Sequence, residues 1–381
     1  MTGRGDDPLI PGRASAAGTA RFAERFAHLP GHFRSPDRLS LSSIALGTRR
    51  GDPGGADDLL IRSAVSRCLE LGVNVFDTAL SDRFQTSERA VGVALRRGFA
   101  EGAATRDEVV VVTKGGALIP DPDFTRDTRE AQRYLYSTYV DTGLVDPSRV
   151  VDGHSLEPAF LRDQIRRSRS NLGLETLDLY LLEQPELFLR AFGPNGFREH
   201  LALAMRALEG AVSDGEIAAY GLCTWDGLLV PHTERGHLAI ADVLELALDV
   251  GGADHHLRAL QLPYGLAMGE GAILASQLAP EGHSSAVLDA LAGTGTAVLV
   301  SAPLYGGRVL GRIPGFVREA FPEASTDAQC CLQFVRSTAQ VTSAVVGMRH
   351  PDHVEENLAL AAVAPADPAI PASLFRKAAE A

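Results

Sequence analysis

The sequence predicts an α/β fold, a (β/α)8 or TIM barrel with an N-terminal extension and long βα loops. Three observations point there. Eight short apolar runs recur along the chain, most too continuous to alternate faces, as expected for parallel strands buried on both sides. Helical patterns lie between them. No GxGxxG turn follows the first run, which weighs against a doubly wound sheet, the other fold that such alternation permits.

The predicted strands are 41–48, 73–79, 108–114, 177–183, 218–224, 257–264, 297–303 and 343–348. Among the helices, 64–72 ends on Gly72, a good C-terminal stop. The stretch 157–174 puts Phe160, Leu161, Ile165 and Leu172 near one stripe, with arginines opposite. Residues 201–217 and 286–295 read the same way. Residues 1–38, rich in Gly, Pro, Arg and Ala, form an extension; the barrel occupies 39–362, and 363–381 is a C-terminal tail. Two connections are long: 115–153, with Tyr134, Tyr136 and Tyr139, and 184–200, with Phe188, Phe192 and Phe197. Both are read as lid or specificity loops. The phenylalanines point to an apolar or aromatic small-molecule substrate.

Composition narrows the partners. The 381 residues carry a formal net charge of −12, which argues against a nucleic-acid backbone. No apolar run approaches the ~18 residues of a membrane span. The N-terminus shows no apolar signal core, so a cytoplasmic protein is expected. Cys68, Cys223, Cys330 and Cys331 form no CxxC pair and are read as free thiols, with Cys330 and Cys331 as helix packing. His255 and His256, beside Asp254, are neighbours that point apart on a strand, so no metal site is expected. Nothing in the sequence specifies an oligomer.

In such a barrel the chemistry lies at the C-terminal strand ends. The polar residues there are Thr48, Asp77, Lys114, Glu183, Thr224, Gln261, Ser301 and the stretch after Gly347. Lys114 is the only lysine before the tail and follows a run of four valines. A buried ammonium is costly unless paired. Adjacent strand ends lie about 5 Å apart, which makes Asp77 its natural partner.

The motifs GVNVFDTA and SERAVG (72–79, 87–92), VVVVTKGG (109–116), RRSRSNLGLETLDLYLLEQPE (166–186), YGLCTW (220–225), QLPY (261–264) and VVGMRHPDHVEENL (345–358) follow one another in a specific order and spacing. With them the chain resembles the aldo-keto reductases over most of residues 40–360. The resemblance implies carbonyl reduction with NADPH through an Asp, a Tyr, a Lys and a His. In that scheme the Tyr protonates the carbonyl oxygen, the Lys–Asp pair lowers the Tyr pKa, and the His orients the substrate. Asp77 and Lys114 match two of these positions. The Tyr position holds Asp82 and the His position holds Glu183. Steroid 5β-reductases of the same family carry Glu at the His position and reduce a conjugated C=C bond.

A phenol has a pKa of about 10 and is protonated at neutral pH, whereas a carboxylate near an ammonium is ordinarily ionised. Three carboxylates around one ammonium are crowded, however. One of Asp77, Asp82 and Glu183 is then expected to keep a proton that serves as the general acid. Tyr134, Tyr136, Tyr139 and His154 are alternative acids.

By the same resemblance, 345–358 holds the adenosine end of NADP(H). A strand end leading into a helix N-terminus is an anion site on physical grounds as well. Arg349 would pair the 2′-phosphate, Glu356 and Asn357 would contact adenine, and His353 takes a position often basic. Gln261 would meet the nicotinamide amide. Thr224 stands where Asn is frequent, and Ser301 where many members have a stacking Tyr, a role for which Tyr305 is a substitute. Thr48, Leu304 and Gly347 complete the expected cofactor set. Three functions follow: an NADP(H)-dependent oxidoreductase with a rebuilt acid site, acting on a carbonyl, enone or imine; a non-redox dehydratase, lyase, cyclase or isomerase using Asp82, Glu183 and Lys114; and a catalytically silent NADP-binding protein. Trp225 is read equally as a pocket wall or as packing.

Overall fold

A computed structural model describes residues 8–125, 127–278 and 283–380, with side chains through 376 in the last helix. Eight parallel strands close into a barrel: β1 Ile44–Gly47, β2 Val75–Asp77, β3 Val110–Gly115, β4 Leu177–Glu183, β5 Ile217–Cys223, β6 Leu257–Pro263, β7 Ala297–Ser301 and β8 Ser343–Gly347. They pair in chain order, and β8 returns to β1. Every predicted strand overlaps one of them; Gly115 and Ile217 fall one residue outside the expected ranges. The first is shorter than expected. Leu41–Ser42 leaves the barrel and pairs antiparallel with Phe33–Arg34, while the Ser42 N–H donates to the Asn74 side chain.

Two-sided burial explains the continuous apolar runs. Val110, Val112, Leu179, Leu181 and Leu299 cluster together, while Val109, Val111, Tyr180, Leu182, Val298 and Val300 belong to the larger core that includes the helices. Period-2 alternation thus separates two apolar layers instead of an apolar face from a wet one.

The principal helices are α1 Gly55–Glu70, α2 Thr86–Ala100, α3 Pro158–Leu172, α4 Glu186–Ser213, α5 Ile240–Gly251, α6 Asp327–Arg336 and α7 Pro351–Ala359. α3 begins on Pro158 and stops at left-handed Gly173 (φ 66°), and it buries Phe160, Leu161, Ile165 and Leu172. Cys330 and Cys331 are buried on α6 as packing residues.

Two expectations are corrected. Residues 184–200 are not a lid loop, because α4 starts at Glu186. Gly193 (φ 69°, ψ 179°) ends the first helical segment and Pro194 opens the second, so the Gly-Pro pair divides α4 at a kink. Phe188 and Phe197 are buried in the main core, and the Phe192 ring stacks on His200 at 4.6 Å. These phenylalanines dock a helix and give no support to an aromatic substrate. The helix expected over 286–295 is only Val287–Ala290, with Gly293 and Gly295 both left-handed.

The long 115–153 connection contains a helix at Thr128–Leu135, capped by Asp127, and packs on Phe160 of α3 through Tyr139 and Val145. The C-terminal tail forms a helix, Ala369–Glu380, whose Phe375 ring meets Tyr264 and Phe334. Among the described residues, no helix is long and apolar enough to cross a membrane.

The N-terminal extension closes the lower face. Its helix, Ala16–Arg25, is tied by Arg21 and Arg25 to Glu108, and the Ala14 N–H donates to Asp178 Oδ1 at 2.7 Å. Asp178 also pairs with buried Arg106 at 2.9 Å and accepts the Val111 N–H at 2.8 Å. Asp178→Ala is therefore expected to cost about 3–5 kcal/mol, because it leaves a buried guanidinium without its counter-charge and two N–H groups without their acceptor. Urea unfolding measures this, and a loss below about 1 kcal/mol would refute the role given to the pair.

Candidate functional site

The C-terminal mouth is organised around Lys114, near the end of β3. Its Nζ lies 2.8 and 2.7 Å from the two Asp77 carboxylate oxygens and 2.9 Å from the Thr78 carbonyl. Three donors meet three acceptors, so the ammonium is fully satisfied. Asp77 is the last residue of β2, the strand adjacent to β3. From β6, Gln261 Nε2 donates to Asp77 Oδ1 at 3.1 Å, and from β5 the Cys223 thiol donates to Gln261 Oε1 at 3.0 Å. Burial works against the Lys114 charge, but the negative charges beside it, Asp77 foremost, outweigh it and raise the pKa above that of an ordinary lysine. Burial also pushes the Asp77 carboxyl up, against the pull of Lys114 and Gln261.

Asp82 and Glu183 join this cluster. Asp82 is buried and accepts from Thr48 Oγ1 at 3.0 Å; the same hydroxyl lies 3.3 Å from the Asp77 carbonyl. Burial pushes the Asp82 pKa up to about 7; Lys114 opposes the shift, and the charges of Asp77 and Glu183 reinforce it. Glu183 is half-buried at the end of β4 and accepts from Ser81 Oγ at 3.2 and 3.0 Å. The structure thus brings Asp77, Asp82, Lys114 and Glu183 to one mouth.

Asp82 is aimed by an unusual turn. Arg83, Phe84 and Gln85 have φ of 50°, 55° and 73°, three consecutive left-handed residues with side chains. Such backbone costs of order 1–3 kcal/mol per residue and persists only where neighbours enforce it. The buried Arg83 guanidinium donates to the Asp52 carbonyl at 2.8 and 2.5 Å and pairs with Asp58 at 2.6 Å, while the Gln85 N–H donates to the Leu80 carbonyl at 2.8 Å. No glycine in the sequence marks this turn.

The expected cofactor residues divide into two groups. At the end of β8, Gly347 is exposed, and a Cβ placed there would meet only the Gly47 carbonyl oxygen, 4.0 Å away. Arg349 Nε donates to Asp57 Oδ1 at 3.0 Å, which fixes the guanidinium at the start of α1. His353 is exposed and Glu356 half-buried on α7. Asn357 is buried, and its Oδ1 has no hydrogen-bond partner among the described residues. An orphaned amide oxygen costs about 1–3 kcal/mol, and an exocyclic amine such as adenine carries would satisfy it. The residues at this strand end therefore fit the adenosine end of a dinucleotide. Ser301 and Leu304 are half-buried at the end of β7, where Ala302 and Tyr305 are left-handed.

The second group is committed internally. Both ends of the Gln261 amide are engaged within the protein, so it is not the open contact that was expected. Thr224 is buried, and its N–H donates to the Gln261 carbonyl at 2.9 Å. Thr48 serves Asp82.

Several other candidates lie apart from the cluster. The Tyr139 hydroxyl donates to the Ile119 carbonyl, Tyr134 accepts from Arg167, Tyr136 is exposed, and the His154 ring meets the Asp152 carbonyl. None is hydrogen-bonded to Asp82, Glu183 or Lys114. His256 Nδ1 lies 2.7 Å from Glu209, and no group of three potential metal ligands occurs among the described residues. The Trp225 indole is 42% exposed and its backbone N–H is held by Glu186 at 2.6 Å. Cys223, Ser81, Arg83 and Glu186 make site contacts that the sequence does not reveal, because their partners lie far away in the chain.

The raised Asp82 pKa has a stability consequence. The unfolded carboxyl titrates near pH 4 and the folded one at about 7. Its contribution is present below about pH 4 and is lost as the pH rises to about 7. Asp82→Asn should therefore gain stability relative to the parent over that window, by of order 2–4 kcal/mol. Urea unfolding at several pH values tests this, and parallel profiles for the two proteins would contradict it.

Comparison with known proteins adds the following. Residues 43–231 match the model of the Aldo/keto reductase family. A curated relative, an NADH-specific methylglyoxal reductase of Escherichia coli strain K12, is 26% identical over 193 residues, 49% of this chain and 50% of the relative. The chain thus spans about half the length of that relative. An aldo/keto reductase from Klebsiella pneumoniae, crystallised with NADP and acetate, shares the fold at 20% identity and a TM-score of 0.59, covering 91% of this chain and 95% of its own. The holo form of a Bacillus halodurans aldo-keto reductase does so at 18% identity and a TM-score of 0.58, with 90% and 95% covered.

Proposed function

We propose that this chain is a member of the aldo/keto reductase family, a family of oxidoreductases, and an NADP(H)-dependent oxidoreductase acting on the carbonyl, enone or imine of a small molecule. The observation that carries this reading is the convergence of the Lys114–Asp77 pair with Asp82, a carboxyl that holds its proton up to about pH 7. β1 alone separates this cluster from the strand end that leads to Asn357.

The cofactor, when bound, supplies the hydride. Asn357 and Glu356 would hold the adenine, Arg349 the 2′-phosphate, and Gly347 the space beside them. Ser301 and Leu304 flank the nicotinamide side. Asp82 and Glu183 stand where the family pattern has its Tyr and His. Protonated Asp82 donates to the substrate atom that gains negative charge, and the ammonium of Lys114 stabilises the carboxylate left behind. Glu183, braced by Ser81, orients the substrate. Asp77 and Gln261 keep Lys114 in place.

A second reading draws on the closed Gln261 amide: proton-transfer chemistry without a nicotinamide, with Asp82 cycling as acid and base near neutral pH. Two variants separate the readings. Asn357→Ala should weaken NADPH binding about tenfold by fluorescence titration, the worth of a buried hydrogen bond. Asp82→Asn should bind NADPH like the parent yet lose at least about 100-fold in kcat on a panel of carbonyls, enones and imines. The parent's kcat should fall as the pH rises through about 7, because the donor is the protonated form. Turnover without nicotinamide that is insensitive to Asn357→Ala would decide for the second reading. NADPH binding without turnover of any panel member would indicate a silent protein.

A further inference from the structure

A cavity of about 590 Å³ opens outside the acid cluster, between the loop after β7, the loop after β6 and the C-terminal helix. None of Asp77, Asp82, Lys114 or Glu183 lines it. Its floor is apolar: Ile313 and Val317 are buried, and Leu374 and Phe375 close it from the C-terminal helix. The Phe375 ring is fixed against Tyr264 and Phe334, at 6.5 and 5.3 Å between centroids, so this wall is packed and not a loose flap.

The rim is cationic. Arg308 and Arg312 both line the cavity and are exposed. Nearby Arg318 is paired with Asp327 at 2.7 Å, whereas Arg308 and Arg312 have no ion-pair partner among the described residues. The Arg308 guanidinium sits over the Tyr305 ring, 5.4 Å from its centre. In a chain of net charge −12, two unpaired guanidiniums at the edge of an apolar hollow form a local site of opposite sign. Apolar walls with a few placed polar groups are what a small-molecule site requires, and a guanidinium matches a carboxylate in fork geometry.

We propose that this cavity is an accessory binding site for an amphipathic carboxylate, its apolar body between Val317 and Phe375 and its anionic head on Arg308 and Arg312. The occupant would also brace the β7 loop, because Tyr305 adjoins Leu304.

Calorimetric titration of the full chain with decanoate and with decan-1-ol tests the proposal. Decanoate should bind one per chain and about tenfold tighter than the alcohol. The Arg308→Gln/Arg312→Gln double variant, altered only at exposed positions, should lose that preference and keep the alcohol's affinity. Ala267→Trp, which fills the cavity from an exposed wall, should abolish binding of both. None of these titrations uses a nicotinamide, so their outcome is separate from that of the reductase reading. Absence of decanoate binding, equal affinities for acid and alcohol, or a preference that survives in the double variant would overturn the proposal.

Discussion

One ammonium among three carboxylates sets the charge state of the barrel mouth. Lys114 neutralises Asp77 through two short contacts and spends its third donor on the Thr78 carbonyl. No ammonium proton is left to donate to Asp82, which lies as deeply buried as the pair itself. A second ionised carboxylate there would be an excess charge away from water, and its cheapest relief is to keep the proton. Burial, reinforced by the charges of Asp77 and Glu183, thus leaves at Asp82 a carboxyl that holds its proton up to about pH 7.

The strained turn beside Asp82 is held from the start of α1. Asp52 and Asp58 take the Arg83 guanidinium, while Asp57, between them, takes Arg349 from the far side of the mouth. A single segment, 52–58, therefore ties the acid turn to the strand end where the adenosine would sit. Movement of that segment reaches both places, so the two halves of the site share one support.

The opposite face of the barrel carries the anchoring. There the extension docks through Ala14, Arg21 and Arg25 onto Asp178 and Glu108, and the Arg106–Asp178 pair is sealed beneath. Buried charge at that end is paired, Glu108 with Arg21 and Arg25 and Asp178 with Arg106. At the mouth it is deliberately unequal, one cation to three acids. Separating the two faces lets the barrel tolerate the imbalance where reactivity needs it.

Pattern along the chain sufficed for the eight strands, because burial on both faces writes short unbroken apolar runs, and their regular alternation with helical patterns fixes them as strands. It also sufficed for the Lys114–Asp77 pair, since Asp77 ends the strand beside a lone buried lysine that needs a counter-charge. The helix beginning at Glu186 stayed hidden, because Gly193 and Pro194 signal a break whether the chain stops or merely bends. The left-handed turn at Arg83 was equally invisible, as no residue type there favours positive φ and only contacts from Asp52 and Asp58 impose it. Where the proton resides, and that Asn357 keeps an unanswered oxygen, are properties of burial depth and of neighbours far apart in the chain. Local sequence selects which groups reach the mouth; the closed barrel decides how much water and how many opposing charges each one meets.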